Sequence, residues 1–112
     1  MKKNNLINIL IVLAVLILAL IILLYPKSEP NTDEQTAKCI GENSILYVQV
    51  GCPHCRTQEE MFGENLEHIT IVDCWEQKEL CTDIIGTPSW KISNEIYRGV
   101  REINELKNLT GC

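Results

Sequence analysis

The sequence predicts an α/β domain, a central mixed sheet of about four strands flanked by helices, behind a single N-terminal transmembrane helix. Three observations carry this expectation. The first quarter of the chain is almost uninterruptedly apolar, the remainder alternates helix-like with strand-like segments, and the last two strand-like runs are joined by a short polar turn. Strand-helix-strand order implies a right-handed parallel crossover, and a terminal hairpin adds antiparallel strands to the same sheet. At 112 residues there is room for one small domain behind the apolar segment.

The segment from Leu6 to Tyr25 is apolar except for Asn8. As a helix it rises about 30 Å, enough to cross the hydrocarbon core of a bilayer. A cleaved signal peptide is the competing reading. Its apolar region is shorter, however, and ends at small residues, whereas this one ends at Leu23-Leu24-Tyr25-Pro26. Lys2 and Lys3 precede the span without an acidic neighbour, and Glu29, Asp33 and Glu34 follow it. The positive-inside rule then leaves residues 1–5 in the cytoplasm, makes 6–25 the anchor, and directs everything after Tyr25 outward as an extracytoplasmic domain on a single-pass cell-membrane protein. Residues 26–36, with two prolines and no apolar period, read as a linker, and 37–112 as the domain.

All fifteen acidic residues, and every basic residue except Lys2 and Lys3, lie beyond the span. Such an acidic domain argues against nucleic-acid binding, which needs clustered Lys and Arg. All six cysteines lie there too, on the side where disulfides persist.

Along the domain, Glu34 to Ile40 is a short helical segment with Gly41 as its expected stop. Ile45 to Val50 is a buried strand. A helix runs from Pro53 to about Phe62, ended by Gly63. Ile69 to Asp73 is the second strand, and Glu76 to Ile85 supports a helix stopping at Gly86. Ser89 to Ile92 and Ile96 to Val100 are strands joined at Ser93-Asn94-Glu95, and Glu102 to Leu109 closes the chain as a helix. This order is the layout of a thioredoxin-like fold.

Cys52-Pro53-His54-Cys55 stands where the first strand meets the second helix. Two thiols at this spacing can close a disulfide reversibly. Pro53 suits the first turn of a helix, where its missing N–H has no partner to lose. The unpaired N–H groups and partial positive charge of a helix N-terminus stabilise a thiolate at Cys52, making it the attacking sulfur, with Cys55 as the resolving thiol one turn in. His54 either stabilises that thiolate, which favours the reduced form and makes the disulfide a stronger oxidant, or is only a solvated turn residue. A zinc site would need Cys74 and Cys81 or a histidine as further ligands. The wider Cys74/Cys81 spacing and the oxidising compartment disfavour it, so neither a metal nor a bound cofactor is expected beyond the redox-active Cys52–Cys55 pair.

Gly86-Thr87-Pro88-Ser89-Trp90 is the second constellation: a proline tolerated only at the start or edge of a strand, with a cis bond at Thr87-Pro88 as one possibility. Trp90, Phe62 and Tyr47 read as core or site rim, and His68 as a loop residue. Asn108-Leu109-Thr110 matches a glycosylation sequon inside a terminal helix.

Taken together, GCPHC, Gln58 to Gly63, Ile71 to Cys74, Leu80-Cys81, GTPSW and Tyr97 to Val100 resemble the thioredoxin-like domains fused to or partnered with bacterial and archaeal vitamin K epoxide reductase homologues. The resemblance covers about Thr36 to Cys112. It implies a thiol-disulfide oxidoreductase with Cys52 as nucleophile, Cys55 as resolving thiol and Pro88 as a cis-proline facing them. It also implies a membrane reductase homologue, or another quinone-linked membrane oxidase, that reoxidises the dithiol. With one span in this chain, that partner is expected to be a separate protein. Thr87 departs from the aromatic residue common before the cis-proline, which puts substrate preference in question. Leu46 stands where thioredoxin carries a buried acid, which argues against a thioredoxin-style proton relay.

The remaining four cysteines allow three pairings. As in similar family members, Cys39 with Cys112 and Cys74 with Cys81 is the expected set, contributing at most about 4.4 and about 2.5 kcal/mol on the chain-entropy model. A redox role for Cys74 and Cys81, relaying electrons, is the rival. The leading functional expectation is a dithiol oxidase acting on the thiols of exported proteins. Its alternatives are a reductase or isomerase using the same residues, and a non-catalytic, disulfide-stapled binding module.

Overall fold

A computed structural model describes residues 2–25 and 32–112. The expected linker falls mostly outside the described residues. Helix α1 (Lys2–Leu24) has a mean hydropathy of 3.5 over an 18-residue window and no buried side chain. By length and composition it can cross a membrane.

Among the described residues after α1, the first packed into the domain is Thr32, which is buried; its hydroxyl donates to Met61 O at 2.9 Å, and its carbonyl accepts from Asn65 Nδ2 at 2.8 Å. Asp33 then caps α2 (Glu34–Asn43) by accepting from the Thr36 N–H at 2.6 Å. That hydrogen bond holds the Asp33 carboxyl below its usual range. Gly41 does not stop this helix, contrary to expectation. It is a buried interior position where α2 touches the segment before β2, and a Cβ there would overlap the His68 carbonyl. The small side chain serves a close approach instead of a turn.

Strands β1 (Ile45–Val48), β2 (Ile71–Asp73), β3 (Ser89–Ile92) and β4 (Glu95–Arg98) form one mixed sheet in the order β2-β1-β3-β4. β1 pairs parallel to β2, with Val48 opposite Asp73, and antiparallel to β3, with Tyr47 opposite Ser89. The C-terminal ends of β1 and β2 and the N-terminal end of β3 therefore meet at one end of the sheet. Helices α3 (Pro53–Glu60) and α4 (Ile103–Thr110) complete the domain, and the core centres on Leu46, Phe62, Trp90, Ile40 and Leu106. This is the α/β, thioredoxin-like layout that the sequence predicts.

Several segments differ locally from expectation: α3 ends at Glu60 and a 3-10 turn runs over Gly63–His68, β2 begins at Ile71 instead of Ile69, and β4 ends at Arg98 instead of Val100. The helix expected over Glu76 to Ile85 is only a 3-10 turn at Lys78–Leu80. Cys74 and Cys81 are bonded there with their Cα atoms 5.7 Å apart, whereas a helix through the segment would separate them by about 10 Å. β1 ends at Val48, two residues early, because the chain turns away toward Gly51 at φ +79°. The hairpin turn is Ser93-Asn94 alone, both at positive φ, and Glu95 is already paired with Ile92.

Candidate active site

The end of the sheet where three strands meet carries the candidate site. After Gly51 the chain reaches Cys52 in an extended conformation, and Cys52 is the N-cap of α3 with Pro53 in the first turn. The Cys55 N–H donates to Cys52 Sγ at 3.2 Å, an N-cap bond in which sulfur replaces the usual oxygen. Cys52 and Cys55 are bonded to each other. Cys55 is buried at 3% exposure while Cys52 is partly exposed, so an incoming thiolate meets Cys52 first. On reduction, the same N–H and the helix N-terminus face the Cys52 sulfur and favour its thiolate.

Opposite the disulfide lies the approach to β3. The Thr87-Pro88 peptide is cis and Pro88 is buried. Thr87 O lies 3.6 Å from Cys52 Sγ, within reach of a thiol S–H. Pro88 O accepts from the Gly99 N–H at 2.8 Å, which joins this wall to the chain beyond β4. Pro53 and His54 are exposed on the first turn of α3. A cleft of 530 Å³ opens beside the disulfide, lined among others by Val50, Cys52, Cys55, Arg56, Glu59 and Asp73. The structure thus brings Cys52, Cys55, Thr87 and Pro88 together, with Pro53 and His54 at the outer edge.

The other cysteines are also bonded. Cys39 on α2 is joined to Cys112 just past α4, and Cys74 to Cys81 around the loop after β2. The Cys74 N–H donates to Val48 O at 2.8 Å, placing that loop beside the exit of β1. Its end is tied to β3 by Lys91 Nζ and Asp83 Oδ2 at 3.0 Å, and this hydrogen bond holds the Asp83 carboxyl below its usual range.

One residue escaped the sequence reading. Gln58 is fully buried, with Oε1 accepting from Trp90 Nε1 at 3.0 Å and from the Arg101 N–H at 2.7 Å. The signal was present in the spacing: Cys55, Gln58 and Phe62 recur at helical period, which puts Gln58 on the buried face of α3.

No protein-family profile matches the chain. Over 83 residues it is 34% identical to Thiol-disulfide oxidoreductase LTO1 of Arabidopsis thaliana. This chain is similar to a thiol-disulfide oxidoreductase. The match takes in 62% of the chain and 22% of that relative, so the chain spans about a fifth of the relative's length.

Proposed function

We propose that the protein is a membrane-anchored thiol-disulfide oxidoreductase whose domain lies outside the cytoplasm, and that its Cys52–Cys55 disulfide oxidises thiols of exported proteins. The observation that carries this reading is the placement of Cys52 as the N-cap of α3, with the Cys55 N–H on its sulfur and Thr87-Pro88 across from it.

A client thiolate attacks Cys52 Sγ, the Cys52–Cys55 bond breaks, and Cys55 leaves as a thiolate that takes up a proton. A second client thiolate attacks the client sulfur of the mixed disulfide, which forms the client disulfide and releases the Cys52 thiolate. Two electrons have then moved from client to domain. The backbone N–H and helix N-terminus at Cys52 stabilise that released thiolate, which favours reduction of the domain and supports the oxidase direction.

Polypeptide clients suit the surroundings. Beyond α1 and Tyr25, the exposed large apolar side chains among the described residues are Val50, Trp75, Leu80 and Ile85. All four lie on the connections at the end of the sheet that carries the disulfide. The dithiol is returned to the disulfide by a quinone-linked membrane oxidase of the vitamin K epoxide reductase-like kind. Lys2 and Lys3 before the apolar helix, with acidic residues after it, support the outward orientation.

The test is a trap. Cys55→Ala removes the thiol that would free Cys52 from a disulfide it attacks, so the Cys52 thiolate should stay covalently linked to the disulfide of the membrane oxidase and to disulfides of exported clients, and both should be recovered. Recovery of neither would refute the reading. A Cys52–Cys55 pair found reduced in cells, with a potential near that of thioredoxin, would reverse the direction to reductase.

A further inference from the structure

Helix α3 carries a polar side chain where its packing pattern calls for an apolar one. Gln58 lies three residues past Cys55 on the same buried face and has no exposed surface. A buried amide is costly unless bonded, and this one is bonded at both ends. Oε1 accepts from Trp90 Nε1 at 3.0 Å and from the Arg101 N–H at 2.7 Å, while Nε2 donates to Arg101 O at 3.0 Å and lies 3.5 Å from Met61 Sδ. The network fixes the amide's orientation, because the reverse would set its NH2 against two donors.

The partners show what is being joined. Trp90 sits two residues past the cis-proline in β3, and Arg101 precedes α4. We infer that Gln58 is a positioning residue for disulfide exchange: it fixes the dithiol helix against β3, the strand that follows Pro88, and so sets the separation of Cys52 Sγ from Thr87 O. The inference rests on the oxidoreductase reading. An apolar side chain of equal volume would fill the same space, so packing alone does not call for an amide here. What it could not do is hold α3 to β3 with directional bonds. Exchange between three sulfurs depends on their alignment, so a small slip of the helix is felt in rate before it is felt in fold.

The test uses the full chain in detergent, with reduced, unfolded ribonuclease as the client. Gln58→Met removes the tie but leaves the Trp90 N–H and the Arg101 N–H without an acceptor. Adding Trp90→Phe removes the first of those orphans. Replacing both partners of a buried hydrogen bond by apolar groups is close to neutral for stability only where shape is kept, and Phe is smaller than Trp. The double variant still leaves the Arg101 N–H without an acceptor and a smaller ring in the Trp90 site, so it is compared with Gln58→Met as folded protein below the melting temperature of both, and is expected to oxidise client at least tenfold more slowly than wild type in a single turnover. Its half-saturating client concentration should stay within twofold, as should alkylation of reduced Cys52 by iodoacetamide, which needs only a thiolate.

A double variant that oxidises client at the wild-type rate would overturn the inference, as would alkylation that falls in step with exchange. If the variants at position 58 do not fold, Trp90→Phe alone decides. It breaks the bond to β3 only, and should slow exchange about threefold, whereas a wild-type rate counts against the inference. Wild-type protein that oxidises no client removes the oxidoreductase reading itself, a separate result from wild-type turnover with indifferent variants.

Discussion

A few single residues decide where the site sits and how closely it is held. Gly41 is one of them. Read in the sequence, it marks the end of a helix; in the structure it is the point where α2 presses on the His68 carbonyl. Gly41→Ala should therefore destabilise the domain by about 1–3 kcal/mol through overpacking, read as a lower urea midpoint with an unchanged slope. The residues of the candidate site are legible because their chemistry is written in residue type and spacing: two thiols, a proline suited to a helix start, and a second proline at the head of a strand. Gln58 was not singled out, although its helical spacing put it on the core face. A glutamine within a charged run reads as surface, and only the facing Trp90 and Arg101 show why an amide is buried there.

At the level of elements, the helices and strands with strong apolar patterns lie within two or three residues of their expected ends, whereas the segment from Cys74 to Gly86 is not the helix its composition suggests. Its composition suits a helix, but a covalent bond between Cys74 and Cys81 and an ion pair from Asp83 to β3 outweigh local preference. The outcome is a stapled loop that presents Trp75, with Lys78 Nζ 5.3 Å above its ring, to solvent at the end of the sheet that carries the dithiol. The Cys39–Cys112 bond works elsewhere, fastening α2 to the end of α4 across 73 positions of sequence. Replacing both of these cysteines by alanine should cost about 2–4 kcal/mol in denaturant unfolding and leave the rate of client oxidation by the folded protein unchanged. A matching loss of turnover in the folded fraction would assign that bond to the chemistry instead.

For the molecule as a whole, the buried cluster of the domain draws on residues from Ala37 to Leu106 and on none from α1. A chain beginning at Thr32 should then fold with the same urea midpoint as the full protein, lose its need for detergent, and alkylate at Cys52 at the same rate. A lower midpoint would mean that the apolar helix supports the fold. The place where the chain enters the domain adds a geometric consequence. Thr32 is fastened to Met61 and Asn65, at the far end of α3 from Cys52 and about 12 Å away along the helix axis. The seven residue steps from Tyr25 to Thr32 can extend at most about 25 Å. In a bilayer-anchored protein the disulfide is thus a head on a short leash, held at a bounded height. For the membrane oxidase proposed above, the encounter would then be a search across a surface instead of through a volume, and matching heights would matter more to it than bulk concentration.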